Sequence, residues 1–263
     1  MEHQRPRTVT ATRYVTPLRE GGSLPAIVEA DDDGLYVVKF RGAGQGPKTL
    51  IAELVAGEIG RVLGLPVPDI VFVELDAALS KAEPDPEIQE LLKSSAGLNI
   101  GLDFLPGSLA FAPAAPARID PVFAAHVVWF DAYVMNVDRT PRNPNLLTWH
   151  GKTWLIDHGA ALYIHHLSDD FLSRSAAPFP QVADHIFLPF AAPIGDVSSR
   201  MASLLPRVAI EHIVCGIPDS WIAASRGSDP DTVRDRYATF LWQRLEKRAV
   251  FEEEAERARA RPV

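Results

Sequence analysis

A single cysteine, Cys215, stands in a chain of 263 residues, which excludes an intramolecular disulfide framework and any zinc site built from cysteine alone. The simplest compartment for such a chain is a reducing cytoplasm. No window offers about 18 or more uninterrupted apolar residues, and the first thirty residues, beginning MEHQRPRTVTATRYVTPLREGG, hold no apolar stretch of leader-peptide length. Secretion and membrane insertion are therefore not expected. Positive charge is short as well. The 34 acidic and 26 basic side chains leave a formal net charge of -8, the wrong sign for the long-range field of a dedicated nucleic-acid binder. Constant-period repeats, a Walker A sequence, H-E-x-x-H and G-x-S-x-G are all missing, which removes several routine assignments. Cys215 lies in the mostly apolar HIVCGIPDSW and is expected to be structural rather than reactive.

What is present is an ordinary globular composition, 47% hydrophobic and 23% charged, in a chain long enough to bury a core. Residues 21 to 40, GGSLPAIVEADDDGLYVVKF, predict a β-hairpin turning at Asp-Asp-Asp-Gly. In its second arm Lys39 interrupts the strand formers Leu35, Tyr36, Val37, Val38 and Phe40. Either it faces solvent by alternation, or it meets an anion or carboxylate in a cleft. After the polar RGAGQGPK, a helix is predicted from about Thr49 to Leu63, stopped by Gly64 and Pro66. A strand follows over residues 67 to 75, then a polar excursion, KAEPDPEIQELLKSS. The proline- and alanine-rich GLDFLPGSLAFAPAAPARI reads as a connection between two lobes. A core helix is expected from Asp120 to Val134, with Trp129 and Phe130 among its packing groups. The C-terminal TVRDRYATFLWQRLEKRAVFEEEAERARA is helical, its charged end expected to face solvent and fray.

Chemistry concentrates in NVDRTPRNPNLLTWHGKTWLIDHGAAL, residues 136 to 162. Asp138 and Asn143 are five positions apart, the spacing of the catalytic Asp and metal-binding Asn in a protein-kinase catalytic loop, and Asp157 follows a short apparent hairpin. Three oxygen-bearing side chains are thus available to one cleft. With a nucleoside triphosphate bound, Asp138 would orient an acceptor hydroxyl and take its proton, while Asn143 and Asp157 would hold magnesium. Lys39 would then contact phosphate, directed by a helix carboxylate, for which Glu53 is preferred over Glu58. Arg139 and Arg142 either steady phosphate, pair with acidic groups or lie in solvent. Asn145 either orders the loop or binds metal. His158 is expected to make a structural hydrogen bond, and His165 and His166 to pack or face solvent rather than bind zinc.

In YVVKF, TLIAELVAGEIGRVLGLPVPD, NVDRTPRNPNLL and WLIDHGAAL the chain resembles the HipA-like branch of atypical protein kinases, with broader similarity to lipid-kinase-like domains, across roughly residues 20 to 165. The resemblance implies an α+β, two-lobed atypical protein-kinase-like fold, with a β-rich N-lobe over residues 1 to 105 and a mainly helical C-lobe over 106 to 263. It implies ATP and Mg2+ as cofactors and γ-phosphoryl transfer to a hydroxyl, foremost a protein serine or threonine. Lys39 then resembles the phosphate-binding lysine, Glu53 its orienting partner, Asp138 the catalytic aspartate, and Asn143 and Asp157 the metal ligands. Gly21, Gly22 and Ser23 resemble the phosphate-facing turn.

Asn136-Val137-Asp138 replaces His-Arg-Asp, Asp157-His158-Gly159 replaces Asp-Phe-Gly, no complete G-x-G-x-x-G precedes Lys39 and no clear Ala-Pro-Glu follows Asp157. Those departures leave open a lipid or small-molecule acceptor, AMP transfer, and a regulatory ATP-binding module without turnover. The family further implies a protein acceptor and a separate regulatory or antitoxin-like partner. The chain begins close to the N-lobe, leaving little room for a large accessory domain ahead of it.

Overall fold

A computed structural model describes residues 5–18, 24–44, 46–112, 119–167, 170–222 and 229–261. The turn Gly21, Gly22 and Ser23 lies outside the described residues. The N-terminal half is a five-stranded closed barrel formed by β1 (Thr8–Pro17), β2 (Ala26–Ala30), β3 (Leu35–Lys39), β4 (Ile70–Leu75) and β5 (Gly97–Asp103), in the order β1-β2-β3-β5-β4. The predicted hairpin is β2 and β3, with Val28 opposite Tyr36 and Ala26 opposite Val38. Asp33 takes the left-handed conformation at its turn, and Gly34 donates its backbone N–H to Asp32 Oδ1. Strand β1 was not anticipated from the sequence. Its β-branched, alternating TVTATRYVTP carries the period of two, and Val9 and Ala11 are buried. Thr8–Thr10 run parallel to Phe72–Glu74, which closes the barrel.

Helix α1 (Pro47–Val62) starts two residues before the predicted position, with Pro47 in its first turn, where a missing N–H costs nothing. It ends on Gly64, whose φ of 76° lets the chain reverse while Leu65 N–H reaches back to Gly60 O. Every residue from Thr49 to Gly60 is buried. A helix covered on all sides has no single apolar face, so Glu53 and Glu58 are both drawn inside with their neighbours. The polar excursion becomes a 3-10 turn (Ala77–Ala82) and α2 (Pro86–Ser94), each capped by an aspartate, Asp76 and Asp85.

Beyond Asp103 the chain crosses through Pro106 and Gly107 into β6 (Leu109–Ala110), which joins β7 (Leu146–Trp149) and β8 (Lys152–Leu155) in a small antiparallel sheet. The β7–β8 hairpin turns at His150 and Gly151, both with positive φ as a two-residue turn requires. Between β6 and β7 lies α3 (Pro121–Val134), capped by Asp120 and buried from Val127 to Val134. The rest is helical: α4 (Ile164–Leu167), α5 (Ile194–Ser203), α6 (Arg207–Val214), α7 (Asp219–Ile222), α8 (Pro230–Glu246) and α9 (Ala249–Arg259). Among the described residues no helix is long and apolar enough to cross a membrane.

One sequence expectation is corrected. The C-terminal charged stretch is not a fraying tail: the chain breaks at Lys247 and Arg248, and α9 buries Phe251, Ala255 and Ala258 against the core. Glu252 on this helix accepts from Trp129 Nε1 of α3 at 2.7 Å and from Ser198 Oγ of α5 at 2.6 Å. Cys215, the residue that ends α6, is exposed. The end of α3, from which the polar loop departs, is held by Arg244 of α8. Its buried guanidinium donates to the carbonyls of Ala132 and Tyr133, both at 2.8 Å. Satisfying the last carbonyls of the helix in this way lets Met135 turn left-handed at φ 54° and send Asn136 into the loop.

Candidate active site

Lys39 sits at the end of β3, paired in register with Ile100 of β5, and is only 6% exposed. Of the two alternatives open from sequence, the structure takes the buried one. Its Nζ donates to Glu53 Oε2 of α1 and to Asp157 Oδ1, each at 2.5 Å. Burial works against the ammonium charge, but the Glu53 and Asp157 carboxylates outweigh it and hold Lys39 above the ordinary lysine value. Glu53 shows the converse balance. Its complete burial favours the neutral acid, yet Lys39 and His158 keep it well below the usual carboxylate range. Glu58 points elsewhere: burial pushes its carboxyl up to about 7, only partly offset by Arg61.

Asp157 leaves β8 in a left-handed conformation, φ 54°, a geometry aspartate tolerates better than most residues. That twist turns the carboxylate back toward Lys39 while His158 enters the core. His158 is fully buried, its Nδ1 3.3 Å from Glu53 Oε1 and its ring edge-on to Phe130. It makes the structural hydrogen bond the sequence suggested, to a residue 105 positions away. Gly159 allows this approach. A Cβ there would lie 2.7 Å from Thr49 Cγ2 of α1. Gly159→Ala is therefore expected to lower stability by about 1–3 kcal/mol through overpacking. Adding Thr49→Ser, which removes that methyl and keeps the hydroxyl, should restore most of the loss in a chemical-denaturation titration.

Across the loop, Asn143 Nδ2 donates to Asp138 Oδ2 at 2.7 Å and Asn145 Nδ2 to the same oxygen at 3.4 Å. Asn145 also reaches the backbone carbonyl of Asp157 at 3.5 Å, so it spans the two loops. Asp138 is half-buried, and burial raises its pKa above the ordinary aspartate value, aided by the charge of Asp157 and opposed by the amides of Asn145 and Asn143. Asn143 and Arg142 are exposed. Arg139 is neither on the surface nor free to steady phosphate: it is 1% exposed and its Nε donates to Asp131 Oδ2 of α3 at 2.6 Å.

Asp131 escaped sequence reasoning, although a lone acid within HVVWFDAYV carried the same signal as Lys39, a charge inside an apolar run. His165 is buried, its Nδ1 2.8 Å from Tyr237 Oη, and His166 is exposed. Among the described residues, no three His, Cys, Asp or Glu side chains gather as a metal site.

A family model for the HipA-like kinase matches residues 12–249. The chain belongs to the HipA-like kinase family. A comparison with curated proteins gave no match. Among solved structures the chain is similar to the Helicobacter pylori proinflammatory kinase CtkA, with 14% identity, a TM-score of 0.58 and coverage of 95% of this chain and 98% of that one. Golgi casein kinase, at 11% identity, covers 99% of this chain and 74% of the other with a TM-score of 0.49. The same kinase with Mn/ADP bound gives 13% identity, 93% and 74% coverage and a TM-score of 0.47. The barrel and the helical region following it form the two lobes of a kinase-like fold, the β-rich one first. Within this HipA-like kinase, Lys39 and Glu53 come from the first lobe and Asp138, Asn143 and Asp157 from the loops of the second.

Proposed function

We propose that this HipA-like chain is an ATP- and Mg2+-dependent kinase that transfers the γ-phosphoryl group to a hydroxyl, with a protein serine or threonine as the acceptor class. The observation that carries the proposal is the buried Lys39 held between Glu53 of α1 and Asp157. A lysine–glutamate ion pair joining the third strand to the first helix, with a metal-binding aspartate beside it, is the arrangement phosphoryl transfer requires of a kinase fold. A structural ion pair alone would not need the third, part-exposed carboxylate.

The donor set suits the metal. Magnesium takes hard oxygen ligands and shares them with substrate phosphates and water. Asp157 offers an anionic oxygen in addition to the one held by Lys39, and Asn143 offers its amide oxygen. Bound there with nucleotide, magnesium would neutralise developing phosphate charge. Lys39 would bind the α- and β-phosphates, Glu53 would direct it, and Asp138 would orient the acceptor hydroxyl and accept its proton. Burial raises Asp138 above the ordinary aspartate value, the direction that would suit a general base. Residues Gly21, Gly22 and Ser23 remain proposed as the phosphate-facing turn, and the lobe boundary is proposed between residues 105 and 106. A cytoplasmic location and a separate regulatory or antitoxin-like partner belong to the same proposal.

The test is incubation of purified protein with Mg2+, candidate protein acceptors and ATP labelled separately on adenine and on the γ-phosphate. Transfer of the γ-label alone is expected. Transfer of the adenine label would make the enzyme an AMP transferase, and nucleotide binding without transfer to any acceptor would favour a regulatory module. The absence of both binding and transfer, with Mg2+ and with Mn2+, would overturn the kinase assignment.

A further inference from the structure

Asp131 of α3 is completely buried and accepts three side-chain donors: Arg139 Nε at 2.6 Å and His185 Nε2 at 2.9 Å on Oδ2, and Asn136 Nδ2 at 2.8 Å on Oδ1. His185 Nδ1 accepts from Phe187 N–H at 3.0 Å, so Nε2 carries the hydrogen given to Asp131. Burial alone would favour a neutral Asp131, but Arg139 and His185 outweigh it and keep the carboxyl well below its usual range. Arg139 is thereby gripped at one end by a fully buried anion of α3.

Its other end meets both polar loops. Arg139 Nη1 donates to the carbonyl of Asn145 at 2.5 Å and to that of Ile156 at 3.4 Å. The Asn145 carbonyl also accepts from Ile156 N–H at 3.1 Å, extending the β7–β8 ladder by one rung. Asn145 stands two residues after Asn143, and Ile156 immediately precedes Asp157. The backbone of Arg139 is itself fixed, its carbonyl accepting from Ile186 N–H at 3.1 Å. One guanidinium therefore bridges the backbone two residues after Asn143 and the residue before Asp157, and ties both to α3.

We propose that Arg139, anchored on Asp131 and His185, is a positioning residue that sets the separation of Asn143 and Asp157 and so tunes the affinity of the site for its divalent cation. This role rests on the kinase reading above. A planar fork is needed because lysine, with one compact head, satisfies Asp131 or the loop carbonyls but not both together. Arg139, Asp131 and His185 do not touch Lys39 or Glu53 and reach them only through Asp157, so nucleotide held without metal should sense their loss less than the metal does.

The experiment uses the full chain with a non-hydrolysable ATP analogue. Calorimetry measures analogue affinity in EDTA and then Mg2+ affinity of the analogue-loaded protein, for the wild type, Arg139→Lys, Asp131→Asn and Asp157→Asn. Thermal unfolding of each is recorded alongside. Arg139→Lys and Asp131→Asn are expected to weaken Mg2+ binding by about tenfold or more, the usual cost of losing a group that orients metal ligands. Their analogue affinity in EDTA should fall by much less than their Mg2+ affinity, and Asp157→Asn should weaken the metal further. A wild type that binds no analogue, or binds it with no response to Mg2+, removes the kinase reading itself. If the wild type responds, the positioning role is overturned by Mg2+ affinities in both variants equal to the wild type, or by equal losses with and without metal. Failure of both variants to fold also overturns it, leaving Arg139 a folding strut.

Discussion

Lys39→Met is expected to abolish phosphoryl transfer, a loss of at least about 10³-fold in kcat/KM, and at the same time to destabilise the fold. The second effect is the less obvious one. Glu53 has no exposure, and its buried charge is balanced chiefly by Lys39. Removing one partner of a buried pair strands the other and costs about 3–5 kcal/mol. The double variant Lys39→Met, Glu53→Gln should recover most of that stability and none of the activity, a separation read by denaturant titration beside a labelled-phosphate assay. Full recovery of stability is not expected, because Glu53 also holds His158.

The pH dependence of the same pair follows from the two shifts. Glu53 is lowered, so its contribution is present above its ordinary value of 4.5 and fades as pH falls through the depressed native value. Lys39 is raised, so its contribution is complete below 10.5 and fades as pH climbs through the elevated one. Between those limits wild-type stability should be insensitive to this pair. In Lys39→Met, burial is no longer opposed by the ammonium, and the Glu53 carboxyl moves up toward protonation. The Tm gap between variant and wild type should narrow as pH falls from about 8 to about 5. A gap constant across that range would show that Glu53 finds another cation.

Asp157→Asn is expected to lose phosphoryl transfer as completely, by about 10³-fold or more, yet leave Tm within a degree or two. Its side chain is 45% exposed, so little burial is at stake, and Glu53 continues to balance Lys39. Asparagine is the substitution of choice because it tolerates the left-handed backbone at φ 54°, whereas alanine would add strain to the loss of charge. The anionic oxygen is what disappears. A variant with unchanged transfer would remove Asp157 from the chemistry, and a large fall in Tm would make it a structural residue.

The elements legible in the sequence were those whose signal is local. The β2–β3 hairpin announced itself through Asp-Asp-Asp-Gly between strand formers, and α3 through a long apolar run after Asp120. Lys39, Glu53 and Asp157 meet in one cluster, and the clue to Lys39 was a charge interrupting apolar neighbours. The same clue at Asp131 was passed over because its partners Arg139 and His185 lie eight and 54 positions away. For Arg139 the sequence left open phosphate contact, pairing with an acid and a solvent position; the structure takes the pairing, with an acid that nothing adjacent to Arg139 marks. Strand β1 was overlooked in a segment weighed only for leader character. In α9 the apolar positions Phe251, Ala255 and Ala258 recur at helical spacing, but four glutamates and two arginines around them suggest solvent. Residues Gly21 to Ser23 lie outside the described residues.

The parallel rung between Thr8–Thr10 and Phe72–Glu74 has a consequence for how other proteins meet the first lobe. An open sheet presents a row of unpaired amides and carbonyls, onto which an extended peptide can lay itself as one more strand. Here the N-terminal strand occupies that berth, and the sheet returns upon itself. An extended peptide therefore finds no free strand edge along Phe72–Glu74. Deleting residues 1–10 would reopen the row along β4 and turn the lobe into a template for strand exchange between copies.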